Sequence, residues 1–262
     1  MHVVVCIKQV PDTSEVKINP ETNTLIREGV ESIINPFDEN AIEAALVLKD
    51  EMGAKVTVMT MGPPQAHSAL REAMAMGVDE VILVSDRAFA GSDTLATSYA
   101  LAKAIEKLDV APDLILFGKQ AIDGDTAQVG PGVAELMNLP VITYVRKLAV
   151  SGNSVAVERV FEDGYERVEA QTPLILTILK EMNVPRMASL RGRMKAKKAD
   201  IQSWSAAFIG AEESEVGLAG SPTKVVKIFS PPKKVGGIII QGSGPLDAAR
   251  EVVGKLKEMK VI

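Results

Sequence analysis

Few of the familiar catalytic sets can be assembled from these 262 residues. One cysteine, Cys6, and two histidines, His2 and His67, cannot ligate an iron–sulfur cluster or a structural zinc ion. There is no Ser–His–Asp arrangement, no isolated carboxylate pair and no Gly-x-x-x-x-Gly-Lys-Ser/Thr phosphate loop. The first apolar run is not followed by the Gly-x-Gly-x-x-Gly fingerprint of dehydrogenases. Four polar loops remain: Cys6–Thr13, Met61-Gly62-Pro63-Pro64, Ser85–Thr94 and Gly118–Thr126. The last two are long, contain glycine and hydroxyl or acidic side chains, and run straight into helical sequence. Helix starts offer free N–H groups and a partial positive charge, which suit a pyrophosphate. The residue types therefore point to a nucleotide site without acid–base chemistry of its own. A bound redox cofactor would supply the chemistry while the protein sets its position.

Each loop also has a plainer reading. Gly91-Ser92-Asp93-Thr94 could simply cap the third helix, yet Thr97 lies nearly one turn past Thr94, so both hydroxyls can share a face near the positive helix end. Gly118–Thr126 could be an ordinary turn, although nine residues with two glycines exceed what a tight connection needs. Cys6 reads better as a small buried residue than as a nucleophile, since no histidine lies in a neighbouring loop. The basic run Arg191–Lys198 reads as a solvated or partner-facing surface.

Alternating β and α segments must position these loops. Val3–Val10, Lys55–Met61, Val81–Val84 and Leu114–Gly118 are apolar runs with little polar alternation, as expected of strands buried on both faces. Between them lie helical stretches Asp38–Met52, Gln65–Met76, Asp93–Leu108 and Thr126–Met137. The first has Asn35 as expected N-cap and Pro36 at the first helical position, and it stops at Gly53. This order predicts an α/β fold: a doubly wound, mostly parallel sheet with right-handed crossovers, Rossmann-like, in three layers. Such sheets bind ligands beyond the carboxyl ends of their strands, the edge from which all four loops leave. Val141–Ala149, Ser154–Phe161, Tyr165–Gln171 and Leu174–Leu179 are closely spaced and read as added antiparallel strands. The expected division is an α/β nucleotide-binding domain over 1–190 and a segment over 191–262, ending in a helix near Leu246–Met259, that packs as an arm on a partner.

Composition narrows the function classes. Hydrophobic residues are 47% and charged residues 24%, which excludes a disordered chain. Aromatics at 4% require an aliphatic core. A net charge of -5 argues against nucleic acid as a main partner. No run of about 18 apolar residues could span a bilayer. The start, Met-His-Val-Val-Val-Cys, has no basic leader, so no signal peptide is expected. With no intrachain disulfide possible, the expected compartment is the cytoplasm.

Several segments together resemble the beta (small) subunit of electron transfer flavoproteins: Val5–Asp12, Asn35–Ala45, Met61-Gly62-Pro63, Gly118–Asp125, Pro185–Leu190 and Met194–Lys198. The run Gly118-Lys119-Gln120-Ala121-Ile122-Asp123 is the most specific of them. One branch of that family holds a structural AMP in the beta subunit. In the flavin-based electron-bifurcating branch the beta subunit holds its own FAD, which accepts hydride from NADH. Ser85–Ser98 resembles the flavin-contacting segment of the second branch, and Asp123–Gly130 its nucleotide loop, with Gly124 where AMP-binding members usually carry a bulkier residue.

The resemblance implies that Cys6, Lys8, Asn35, Asp38, Met61, Gly62, Gly118, Gln120, Ala121, Ile122, Asp123, Gly124, Asp125, Thr126, Gln128 and Val129 surround the ADP half of an FAD. Gly91, Asp93, Thr94 and Thr97 would lie near its flavin or ribityl part, and Leu190 would anchor a partner dehydrogenase. It implies an alpha subunit as heterodimer partner, an acyl-CoA-type or other dehydrogenase, and ferredoxin or flavodoxin as low-potential acceptor. The alternative it leaves is a beta subunit holding only structural AMP. A more distant alternative, an adenylate-forming enzyme, is disfavoured because Gly91-Ser92-Asp93-Thr94 follows the third strand, whereas a pyrophosphatase-type loop follows the first.

Overall fold

Leu114-Ile-Leu-Phe-Gly and Leu174-Ile-Leu-Thr-Ile carry no polar residue facing water, and both become strands with every residue buried. They belong to a computed structural model that describes residues 1–12, 32–226 and 236–262. The first half of the chain runs β1 (His2–Cys6), β2 (Gln9–Pro11), β3 (Ser32–Ile34), α1 (Pro36–Met52), β4 (Lys55–Met61), α2 (His67–Met76), β5 (Glu80–Val84), α3 (Thr94–Glu106), β6 (Leu114–Gly118) and α4 (Val129–Met137). The second half adds β7 (Val141–Ser151), β8 (Ser154–Phe161), β9 (Gly164–Gln171), β10 (Leu174–Ile178), α5 (Leu190–Lys198), β11 (Gln202–Trp204), α6 (Ala206–Ile209) and α7 (Pro245–Glu258).

Nine strands form one sheet in the order β11-β5-β4-β1-β6-β10-β7-β8-β9. The pairs from β11 to β7 are parallel, and β7-β8-β9 is an antiparallel extension. Alternation along each strand divides the core. Val3, Val5, Leu114 and Leu116 join one cluster with Ile42 and Leu70 of α1 and α2. Val4, Cys6, Ile115 and Phe117 join the other with Leu101, Ile105 and Val133 of α3 and α4. This is the expected three-layer, doubly wound α/β fold. Each such side chain, taken fully out of water, contributes about 1.5–3 kcal/mol. From β1 the chain winds outward through β4 to β5, then returns to place β6 on the other side of β1. The switch point therefore lies between β1 and β6.

Four expectations are corrected. The run Val3–Val10 is two strands, because Ile7 N turns to Met59 O and β2 leaves the sheet to pair antiparallel with β3. The second helix begins at His67 after a short 3-10 turn over Pro64–Ala66. Leu174–Leu179 is no antiparallel addition: β10 inserts parallel between β6 and β7, where only a strand without polar alternation can be buried on both faces. The fourth helix starts at Val129, not Thr126, because Asp125 and Ala127 take left-handed φ values of 52° and 54°.

By compactness the chain divides into Met1–Lys227 and Ile228–Ile262. Within the first unit α5 packs on α2 and β11 extends the sheet beside β5. Within the second unit, α7 buries none of its residues. No described helix is long and apolar enough to cross a membrane.

Candidate functional site

At the switch point the carboxyl ends of β1 and β6 leave backbone N–H groups beyond their ladders, and Asp38, in the first turn of α1, satisfies two of them. Its Oδ2 accepts from Lys8 N at 2.7 Å and its Oδ1 from Gly118 N at 3.1 Å. Residue 118 must be glycine for this approach. A Cβ there would lie 2.2 Å from Asp38 Oδ1 and 2.7 Å from the carbonyl carbon of Phe37.

Asn35 precedes α1 as expected but makes no side-chain cap. Its amide is turned sideways into the next loop, donating from Nδ2 to Gln120 O at 2.8 Å and accepting at Oδ1 from Ile122 N at 3.1 Å. Its own N–H donates to Lys8 O at 2.9 Å, so one residue joins the loops after both strands. Further along, Asp125 N closes onto Ala121 O at 2.8 Å and Gln120 Nε2 donates to Asp125 Oδ1. Lys8 Nζ pairs with Asp123 at 2.7 Å, an exposed pair that adds little energy but covers the loop. Lys8, Asn35, Asp38, Gly118, Gln120, Ala121, Ile122, Asp123 and Asp125 are thus one connected unit. Gly124 sits at its tip, where an added Cβ would meet nothing within 4 Å among the described residues.

Burial pushes Asp38 up to about 7, and it outweighs the hydrogen bonds from Asn35, Lys8 and Gly118 that favour the charged form. Burial likewise pushes the Cys6 thiol far up, with the Asp38 charge adding to it. Cys6 is packed in the core cluster that α3 and α4 share with the sheet, and a buried, protonated thiol of this kind is unreactive.

The two helix starts expected to receive a phosphate are not equivalent. Asp93 caps α3, accepting at Oδ1 from Leu95 N at 2.9 Å and Ala96 N at 3.2 Å, so those donors are taken. Its Oδ2 accepts from Thr223 N at 2.9 Å and Thr223 Oγ1 at 2.7 Å. Burial opposes the Asp93 charge, but the bonds from Thr223, Ala96 and Leu95 together hold its carboxyl below the usual range. The capping reading of Gly91–Thr94 is therefore realised. By contrast α4 begins after Gln128 with no side-chain cap, so its first N–H groups are not taken by a capping side chain. The free helix start lies at Val129 rather than at Thr126.

Ser98 brings these starts together and was not anticipated. Its hydroxyl lies 2.7 Å from Thr94 O and 3.2 Å from Val129 O, spanning the first turns of α3 and α4. Gly132 lets α4 come this close, since a Cβ there would stand 2.5 Å from Ser98 Oγ. Ser98 is four residues after Thr94, the spacing that should have flagged it. Thr94 and Thr97 are half-buried beside this junction, and Thr126 and Gln128 are exposed ahead of it. Gly91 has a left-handed φ of 78°. Met61 and Gly62 end β4 at the same rim, where Gly62 N bonds Val84 O. Leu190 stands apart from all of these, at the start of α5, with Ser189 capping the helix onto Gly192 N.

The arrangement offers backbone donors, glycine openings and hydroxyls. No group of His, Cys, Asp and Glu that could hold a metal ion exists among the described residues. A cavity of about 330 Å³ lies between α2 and α5, lined by Arg71, Glu72, Ala188, Arg193 and Lys197 among others, and contains none of the loop residues.

The electron transfer flavoprotein domain family matches residues 22–209. The chain is 50% identical over 270 residues to the electron transfer flavoprotein subunit beta of Megasphaera elsdenii, covering both chains completely. It is 53% identical over 258 residues to the subunit beta of Clostridium acetobutylicum, covering 98% of each. It is also 53% identical over 263 residues to the caffeyl-CoA reductase-Etf complex subunit CarD of Acetobacterium woodii, again covering both chains.

Proposed function

The chain belongs to the electron transfer flavoprotein family as a beta subunit, and on that premise we propose that it binds an FAD of its own at the switch point. There NADH would be the electron donor, and electrons would divide between ferredoxin or flavodoxin and, through the alpha subunit's FAD, a partner dehydrogenase. The observation that carries this reading is the open space around Gly124 beside the uncapped start of α4. A ligand larger than a mononucleotide can pass over that glycine while its pyrophosphate meets the free N–H groups.

FAD, when bound, supplies the redox chemistry, accepting a hydride and giving up electrons one at a time. The chain's residues bind and orient. The loop stapled by Asn35, from Gly118 to Asp125, would hold the adenosine part. Val129 at the head of α4 would hold the pyrophosphate, worth about 0.3–1 kcal/mol from the helix dipole besides the hydrogen bonds. Thr94 and Thr97, set beside Val129 through Ser98, would line the ribityl chain and flavin edge. No side chain is asked to move a proton.

The name of the Acetobacterium relative, a subunit of a caffeyl-CoA reductase complex, supports an acyl-CoA-type dehydrogenase as partner. Val184, Met187 and Leu190, all exposed, would dock that enzyme, with Leu190 as anchor. Of the segment over 191–262, the part from 236 onward, whose α7 exposes Leu246, Val252 and Val253, would pack as an arm on an alpha subunit in the cytoplasm. The test is the absorbance spectrum and cofactor count of the alpha–beta complex as purified. Two FAD per pair is the expected result; one FAD and one AMP would overturn the reading in favour of a structural nucleotide.

A further inference from the structure

The connection from β10 to α5 is fastened to α1 by two adjoining clamps. Asn40 Nδ2 donates to Asn183 O at 2.8 Å and to Asn183 Oδ1 at 2.9 Å, and Asn183 Nδ2 donates back to Asn40 O at 3.0 Å. Nearly one turn on, Glu43 receives three bonds from one residue: Arg186 N at 3.0 Å, Nε at 2.9 Å and Nη2 at 3.0 Å. Arg186 Nη2 also reaches Asp50 at 2.9 Å. Glu43 is only 7% exposed.

The loop that this clamp holds presents apolar side chains to solvent: Val184, Met187 and Leu190 are 88%, 89% and 78% exposed. The far end is held as well, since Arg71 of α2 donates to the carbonyls of Ala196 and Ala199 at the end of α5. Arg186 is about half-buried, and a bidentate ion pair of this kind adds little stability but does fix geometry. Holding an exposed apolar loop in one pose lowers the ordering cost of binding. The same helix carries Asp38 in its first turn at the nucleotide loops, while Glu43 touches none of them.

We infer that Glu43, through Arg186, is a positioning residue for electron delivery: it presents the loop over 184–190 in a single pose to the partner dehydrogenase and takes no part in holding the nucleotide. This rests on the docking reading of Leu190. The test uses the full alpha–beta complex carrying Glu43→Gln, Arg186→Lys or Leu190→Ala. The acceptors are a purified short-chain acyl-CoA dehydrogenase that the wild-type complex reduces, and a small redox dye that needs no docking.

Glu43→Gln should raise KM for the dehydrogenase about tenfold with kcat little changed. Dye reduction and bound-nucleotide content should stay at wild-type level. Arg186→Lys should give a smaller rise, because the ammonium keeps the charge attraction although it cannot grip both carboxylate oxygens in one fork. It also serves where Glu43→Gln fails to assemble. If Leu190→Ala raises KM while neither clamp variant does, the positioning role is wrong and the docking reading stands. Three unchanged KM values, or no dehydrogenase of that class reduced by the wild type, overturn the docking reading itself. A loss of dye reduction or nucleotide in Glu43→Gln also overturns the separation claimed.

Discussion

Replacing Asp38 by Asn tests whether burial or hydrogen bonding governs the floor of the proposed nucleotide site. Burial carries the Asp38 carboxyl from near 3.8 in the unfolded chain to about 7 in the fold. That difference corresponds to about 4 kcal/mol. Because the folded value is the higher one, this contribution to stability is complete below about pH 4 and is lost as pH rises through about 7. Asn does not titrate. It presents one acceptor and one NH2 to two backbone donors, Lys8 N and Gly118 N, so at low pH the variant should be less stable by about 1–3 kcal/mol. Between pH 4 and 7 the wild type should lose about 1.4 kcal/mol per pH unit relative to the variant, and above pH 7 the gap should level off. The variant then leads by about 1–3 kcal/mol. The assay is urea unfolding of both nucleotide-free proteins at half-unit steps from pH 4.5 to 8.5, read as the difference in unfolding free energy. Two parallel curves would refute the reasoning, since they would mean that Asp38 stays ionised throughout and that its two backbone donors outweigh burial.

Other consequences can be checked with simpler measurements. Gly118→Ala drives a Cβ into Asp38 and the Phe37 backbone, and should cost about 3 kcal/mol and release the bound nucleotide; an unchanged melting temperature would contradict so close an approach. Gly124→Leu meets open space, so the melting temperature should hold within the scatter of ordinary surface changes, about 0.5 kcal/mol. The flavin absorbance of the beta subunit should nevertheless disappear, and retained absorbance would remove Gly124 from the proposed path of FAD. His2 is held neutral, mainly by burial, with Nδ1 at 3.0 Å from Val110 O and Nε2 at 2.9 Å from Thr57 Oγ1. Its lowered value gives stability that is present above about pH 6.5 and lost as pH falls below it. A His2→Gln protein should therefore show a flatter urea midpoint between pH 5 and 6.5 than the wild type, and an equally steep one would count against the buried neutral ring.

Much of the layout is local and so could be read from residue order. Continuous runs such as Leu114–Gly118 have no polar face to offer water, which makes them sheet interior wherever they land. Pro36 opens a helix because its missing N–H is not needed there, and Gly53 closes it because φ of 70° costs glycine little. The family motif at Gly118–Asp123 marks the proposed nucleotide loop through residue types alone. β10 is legible too, since Leu174–Ile178 carries a single polar residue, Thr177, and no polar alternation.

What the order of residues left open depends on groups far apart in the chain. By local rules Asn35 and Asp38 belong to a helix start, and only the packing of β1 beside β6 brings Lys8 N, Gly118 N and Ile122 N close enough to claim them. The same holds for the choice between the two helix starts. Asp93 fills one with its own oxygen, while left-handed turns at Asp125 and Ala127, residues with no intrinsic need for them, delay the other until Val129. Residue order determined that this chain builds a buried parallel sheet with polar loops on one rim. Which loop oxygens are spent inside the protein, and which N–H groups remain for a ligand, was decided by tertiary structure, because hydrogen-bond partners are assigned by distance in space and not along the chain.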